Sequence, residues 1–491
     1  MTHSRYPLLY QVNTRTWLTE RGRQLGRRAT LDDVTEADAA RWAEQGFEWI
    51  WLLGIWQTGP AGQRVSRQQP EWRREFEETL PDLTEEDIGG SCFAIAAYEV
   101  ARELGGADAL ARLRVRLAQV GLRLMLDFVP NHLAPDHPWV SAHPEHFVQG
   151  TAEDQARTPQ NYFRLTPDGP VFAHGRDPYF PGWPDTIQLN YGRPEVREAM
   201  QAELLRIATQ CDGVRCDMAM LILPDIFKRT WGIPMAPFWP EAVAAVRKVN
   251  PEFFLLAEVY WDLEWTLQQQ GFNACYDKRL YDRLREGVAG PVRDHLRAGL
   301  NYQNRLARFL ENHDEPRVAA TFAEGPHQAA AVISFFCPGL RFFHQGQLEG
   351  CQRRVSPHLT RAPQEPVSPT LAEFYRRLLR ALRSSVVRNG QWSLLELVSA
   401  WEGNPTAGDF LAFGWTADDG ARRLVVVNYS AHPAQAYVRW PWPDARESQW
   451  RLTDQMGPEV YDRSAIGLLD PGLYLDVPAW HAQVFEVTQL S

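Results

Sequence analysis

Short apolar runs recur along the chain at long intervals: LLYQV (8–12), WIWLLGI (49–55), LRLMLDFV (122–129), DGVRCDMA (212–219), FFLLAEVY (253–260), ARFLEN (307–312) and LRFFHQG (340–346). Most are separated by stretches whose apolar residues return at helical spacing, such as GADALARLRVRLAQVG and PEVREAMQAELLRIATQ. Strands and helices that alternate in this way imply right-handed crossovers and a parallel sheet. About eight such units over roughly 390 residues predict an α/β fold with a closed (β/α)8 TIM barrel. An open doubly wound sheet is the alternative, but no glycine-rich turn follows the first strand to cradle a nucleotide.

Two intervals break the pattern. Residues 133–190, from LAPDHPWV to PDTIQLN, are rich in Pro, His, Asp and aromatics and keep no long period. They predict a small subdomain inserted after the third strand. Beyond residue 386, LLELVSAWE, FLAFGW, RRLVVVNYS, AYVRWPW, YLDVP and AQVFEV predict short strands joined by turns, an antiparallel β-sandwich. The expected organisation is a barrel over 1–132 and 191–385, the inserted subdomain over 133–190, and the sandwich over 386–491.

Composition narrows the function classes. Of 491 residues, 44% are hydrophobic and 23% charged, enough for a sizeable core, and the net charge of −10 is spread along the chain. No basic block points to nucleic acid or an anionic membrane surface, and no run is long enough to span a bilayer. The N-terminal MTHSRYPLLYQVNTRTW lacks the pattern of a signal peptide. The six cysteines (92, 211, 216, 275, 337, 351) form no CxxC pair and sit mostly in apolar segments, so reduced, buried thiols in a cytoplasmic protein are expected. Many of the nineteen Trp flank Pro, which crowds aromatic rings into loops. The oligomeric state is left open.

A barrel carries its chemistry at the C-terminal ends of its strands. Four strand candidates end in a carboxylate there: Asp127, Asp217, Glu258 and Asp314. Each alone reads as a cap or an ion pair, but four on one rim repel one another unless a ligand or a reaction uses them. Paired carboxylates suit glycoside chemistry, in which one acts as nucleophile and the other as acid/base. Arg215 lies two positions from Asp217 on the same strand face, and a guanidinium neighbour favours an ionised nucleophile. Glu258 follows the uncharged run FFLLA, and an apolar surround raises a carboxyl pKa as a proton donor requires. His132, His137, His143 and His146 lie close in sequence, but their spacing fits no zinc-binding helix and prolines interrupt it. No metal site is therefore expected, and a histidine at this rim reads as a neutral donor to sugar hydroxyls.

DFVPNH (127–132), GVRCD (213–217), Glu258 in LLAEVYW, and ENHD (311–314) resemble, in order, the four catalytic segments of the α-amylase family of retaining glycoside hydrolases. GFEWIWLLGIWQTGP, WPDTIQLNY and LRFFHQGQLEG resemble that family's second strand, the end of its inserted subdomain and its eighth strand, so the likeness spans roughly residues 8–350. The resemblance implies that Asp217 is the nucleophile, Glu258 the acid/base, and Asp314 the third carboxylate, which binds sugar hydroxyls and aids ring distortion. It places Arg215, His132 and His313 where the family binds the sugar or its neighbouring carboxylates, with Asp127 at the first segment and Phe93 and Trp261 as aromatic surfaces for the sugar.

Departures bear on substrate. SCFAIAAY has Phe93 where many members stack a Tyr, and Ala97 where many exo-acting glucosidases have a carboxylate. Met220 and Leu221 stand where many starch-degrading members have Lys-His, a pair that serves the leaving-group side and a calcium ion. Asn131 alone is a poor calcium site, so calcium is possible but not expected. The expectation is a retaining α-glycosidase acting on gluco-oligosaccharides or α-glucans through a glycosyl-Asp217 intermediate. The alternative is a transglycosylase or isomerising enzyme with the same site, which loops such as Tyr260–Trp261 and Phe238–Trp239 would favour by excluding water. A non-catalytic carbohydrate-binding protein is the third possibility, and the intact carboxylates argue against it.

Overall fold

A computed structural model describes residues 4–442 and 449–490. Eight parallel strands close into a barrel: β1 (Leu8–Asn13), β2 (Trp49–Leu53), β3 (Arg123–Phe128), β4 (Gly213–Cys216), β5 (Phe254–Ala257), β6 (Ala274–Tyr276), β7 (Leu306–Arg308) and β8 (Leu340–His344). Their order around the ring is their order in the chain, with β1 pairing with both β2 and β8. The closed barrel predicted from the apolar runs is therefore present. The strand without a counterpart among those runs is β6, whose three residues, Ala274, Cys275 and Tyr276, are too few to register as a periodic segment.

The two helical stretches singled out by period form helices at Gly106–Gln119 and Pro194–Ala208, and their apolar positions are buried. Between β3 and β4 lies the inserted region, with a two-stranded ribbon (His132–Leu133 with Ile187–Gln188) and a small sheet of Gln149–Gly150, Val171–Ala173 and Tyr162–Arg164. After β8 and the helix Pro369–Leu382, a six-stranded and a three-stranded antiparallel sheet face one another over their own apolar core, which includes Phe410, Val426 and Phe485.

A second excursion, which periodicity did not separate from the barrel, follows β2. It comprises the hairpin Trp56–Thr58 with Ile95–Val100 and two helices, Pro60–Gln68 and Pro70–Thr79, each opened by a proline at its first turn. Helical period inside a loop looks the same as helical period in a crossover, which is why the sequence hides it. The loop after β8 runs across these helices. Phe76, Leu80, Ile88 and Leu359 form a small separate core, and Arg361 pairs with Asp87 at 2.8 Å and Asp82 at 3.1 Å. Arg354 also pairs with Glu75. The β2 and β8 loops thus make one wall at the barrel mouth.

Candidate active site

Arg215 sits on β4 with no solvent exposure and binds two carboxylates at once. Its two terminal nitrogens reach Asp217 Oδ1 at 2.6 Å and Glu258 Oε2 at 2.7 Å, and Asp127 Oδ1 lies 3.8 Å away. The rings of Phe93, Trp51 and Tyr276 surround the guanidinium at 5.1, 5.4 and 6.0 Å. The pair expected between Arg215 and Asp217 is therefore one arm of a larger cluster. Glu258 is not in the purely apolar surround its sequence context suggested; it shares the guanidinium, because β4 and β5 are adjacent strands in register.

Glu258 is held at both oxygens. Oε2 also accepts the Met218 N–H at 2.7 Å, and Oε1 accepts the Tyr260 O–H at 2.9 Å. Burial, countered by Arg215 and reinforced by Asp217 and Asp314, pushes its carboxyl up to about 7. That is the range a proton donor needs near neutrality. The Met218 N–H points at Glu258 because Met218 adopts a left-handed backbone (φ 42°), and Trp261 and Asp262, just beyond Glu258, do the same (φ 64° and 61°). Non-glycine residues in that region cost about 1–3 kcal/mol each, and here they follow Asp217 and Glu258.

Asp314 stands at the mouth, with 41% of its side chain exposed. Asn312 Oδ1 accepts the N–H groups of Asp314 and Glu315 at 2.8 Å, a local turn that projects the carboxylate outward. Desolvation raises the Asp314 carboxyl, but His313, whose Nε2 is 2.9 Å from Oδ2, together with Arg215 and Arg354, outweighs it and holds the group below the usual range. Glu311 of the same segment is a structural residue, buried against Arg317 at 2.6 Å and His344 at 3.1 Å.

The cavity at this end of the barrel has a volume of about 280 Å³. Asp217, Glu258, Asp314, His132 and Phe93 line it, as expected from the sequence. Arg215, Asp127 and His313 form the layer beneath it. Asp127 is 2% exposed and accepts from the Trp51 Nε1–H at 3.2 Å and the Gly54 N–H at 3.3 Å; burial, opposed by Arg215 and His313, lifts its carboxyl to about 6. His313 packs edge-on to Trp51 and near Phe93. Arg215 and His313 contact the carboxylates that line the pocket, and Asp127 contacts Arg215. Trp261 is outside the lining, with its ring 5.0 Å from Tyr179 in an edge contact. Burial lowers the His132 imidazole to about 4 despite nearby Asp217, which keeps it a neutral ring.

Sequence reasoning missed Trp72, Ser91, Trp183, Asp185, Thr186, Pro357 and His358, which with Met218 and Tyr260 complete the lining. They come from the β2 loop, the inserted region and the β8 loop, so no local pattern connects them. Met220 and Leu221, read as substrate determinants, have 0% and 2% exposure and pack in the core, with the Trp239 Nε1–H donating to Ala219 O at 2.9 Å. They cannot touch a sugar in the pocket.

The oxygens of Asn131 are already taken. Gln188 Nε2 donates to Asn131 O at 2.9 Å, Asn131 Oδ1 at 3.1 Å and Leu189 O at 3.1 Å, and both side chains are fully buried. An amide nitrogen stands where a calcium ion would need these oxygens, so this set does not fit the ion. Of the four clustered histidines, His132 lines the pocket and His137 Nδ1 accepts the Trp139 N–H at 3.1 Å. His143 and His146 stack on the protein surface beside Glu145.

A closed barrel with three carboxylates gathered at the C-terminal ends of its strands defines a glycosidase-like class of site. Residues 91–278 match the α-amylase catalytic-domain family. The chain is 24% identical over 289 residues to "Alpha-amylase 3" of Dictyoglomus thermophilum, covering 54% of this chain and 55% of that protein. It is 24% identical over 348 residues to the "Intracellular maltogenic amylase" of Bacillus subtilis, covering 66% and 53%. The chain thus spans about half the length of these relatives. The crystal structure of a noncanonic maltogenic α-amylase, AmyB from Thermotoga neapolitana, superposes with a TM-score of 0.70 over 99% of both chains at 18% identity, which is a likeness of fold. Residues 91–278 thus match the α-amylase catalytic domain, and the chain as a whole shares the fold of such enzymes.

Proposed function

We propose that this protein is a retaining α-glycosidase acting on α-glucosidic bonds of gluco-oligosaccharides or α-glucans. The observation that carries the proposal is the single guanidinium of Arg215 binding Asp217 and Glu258 together, so that two carboxylates from adjacent strands face one pocket in different environments. Glu258, with its raised pKa, protonates the glycosidic oxygen as the bond to the leaving sugar breaks. Asp217 attacks the anomeric carbon and forms a glycosyl ester. Glu258, now a carboxylate, takes a proton from water, which hydrolyses the ester and frees Asp217. Asp314 and the neutral ring of His132 offer hydrogen bonds to sugar hydroxyls, and Phe93 offers an apolar face.

Asp217→Asn and Glu258→Gln test the roles. Each is expected to lower turnover of maltooligosaccharides by about 10³-fold or more with circular dichroism unchanged, and near wild-type turnover in either variant refutes the assignment. Fresh product examined by NMR should keep the α configuration.

Transfer to a sugar acceptor is the second reading. Tyr260 and Met218, both half-buried, crowd the acid and restrict water. Longer or isomeric products from maltotriose would establish transfer. The Gln188 amide among the Asn131 oxygens supports action without calcium. Six free cysteines, five of them buried, support a reducing, cytoplasmic setting, and among the described residues no helix is long and apolar enough to cross a membrane.

A further inference from the structure

Asp185 is a buried carboxylic acid that the chemistry above leaves unused. It lines the pocket, is 3% exposed, and its Oδ2 has no hydrogen-bond partner. An unpaired buried carboxyl is costly, and cores avoid one unless a ligand completes it. Burial pushes its proton affinity up to about 7, so near neutrality it can both donate to and accept from a hydroxyl. The ring order fixes which end of a substrate it meets. β5, which presents the acid Glu258, stands across the eight-strand ring from β1, and β1 is flanked by β2 and β8. The leaving sugar must lie on the side of Glu258, because Glu258 protonates its oxygen. The sugar attached to Asp217 therefore points toward the wall built from the β2 and β8 loops.

That wall is solid. The Trp72 and His358 rings are 4.5 Å apart, and the Ser66 hydroxyl lies 2.8 Å from His358 Nδ1. Behind them stand the small Phe76–Leu359 core and the Arg361 pairs with Asp82 and Asp87. Asp185 belongs to the same side: the nearest neighbours of a methyl placed on Gly62, in the first helix of the wall, are Ala94 and the Asp185 Cβ. The pocket volume of about 280 Å³ corresponds to roughly nine waters.

We infer that Asp185 is a further substrate-binding residue, its carboxyl taking hydroxyls of the terminal, non-reducing hexose at the closed end of the pocket, and that the Trp72–His358 wall restricts cleavage to chain ends. This rests on the assignment of Asp217 and Glu258 above. The test is a pair of p-nitrophenyl maltoheptaosides, one free and one carrying a 4,6-O-ethylidene block on its non-reducing sugar, with products separated by chromatography.

The wild-type protein should shorten the free substrate from its non-reducing end and act on the blocked one at least 100-fold more slowly. Asp185→Asn should lose at least 30-fold in kcat/KM on the free substrate at pH 5, with a melting temperature at pH 4 equal to that of the parent. Trp72→Ala should bring the blocked rate within about tenfold of the free rate, a ratio that simple destabilisation does not move. Equal cleavage of both substrates by the wild type overturns the chain-end restriction. Wild-type kcat/KM in Asp185→Asn overturns the role of Asp185, and an unchanged ratio in Trp72→Ala overturns the wall. Inactivity of the wild type on both substrates and on every other α-glucoside overturns the glycosidase assignment itself, and this inference with it.

Discussion

Tyr260→Phe is the sharpest probe of how the acid is tuned. The substitution removes one oxygen, the phenol that donates to Glu258 Oε1 at 2.9 Å, and leaves the Arg215 and Met218 contacts to Oε2 intact. Burial, with Glu258 and Asp314 close by, holds the phenol's pKa well above its ordinary value, so it remains a donor across the working range. A hydrogen bond to a charged group is worth about 1.5–3 kcal/mol, and it favours the ionised carboxyl over the neutral one. If half of that is lost selectively from the ionised form, the Glu258 pKa rises by about one unit, since one unit is about 1.4 kcal/mol. The acid must be protonated to act, so the basic limb of kcat/KM against pH should move from near 7 to near 8. The plateau below the limb should fall by less than about tenfold. The assay is the kcat/KM profile on a maltooligosaccharide from pH 5 to 9, at fixed ionic strength. A limb that stays in place, or moves to lower pH, refutes the account of Glu258 as an acid restrained by Tyr260.

Three other outcomes follow from the packing. Met220→Lys should cost about 3 kcal/mol or more in chemical denaturation, since it buries an ammonium at a fully enclosed site, and should leave product pattern unchanged in the molecules that remain folded. Activity should survive EDTA, because the Gln188 amide occupies the Asn131 oxygens; loss restored by Ca²⁺ contradicts this. Asp185→Asn should become more stable than the parent as pH rises. The folded-state pKa of about 7 lies above the ordinary value near 4, so the parent's stability from this group is full below pH 4 and declines as pH climbs through 7. The variant's advantage should therefore be absent at pH 4 and reach up to about 4 kcal/mol at pH 8; equal melting-temperature differences at both pH values refute it.

Period and composition carried much of this structure. Seven of the eight barrel strands announce themselves as apolar runs, because a strand covered on both faces must be apolar throughout. Asp217 and Glu258 were legible as well, since each follows such a run at the end where a barrel places its chemistry. Expecting a raised pKa for Glu258 from its chain neighbours rested on an incomplete reason. Its apolar neighbours along the chain suggested desolvation, whereas the carboxyl also shares Arg215 with Asp217 and takes hydrogen bonds from Met218 and Tyr260. Met220 and Leu221 were singled out because the resemblance puts Lys-His at their positions; a tight turn directs both into the core.

Sequence by itself determined the barrel and placed Asp217, Glu258 and Asp314 at its C-terminal rim, because these depend on period and on residues at strand ends. Tertiary structure alone decided the shape of the pocket. Trp72, Asp185 and His358 lie more than a hundred residues apart in the chain and meet only because the β2 loop, the inserted region and the β8 loop converge over one ring of strands. The extent of that convergence, and so the volume of the pocket, is set by contacts between loops, which leave no period to read.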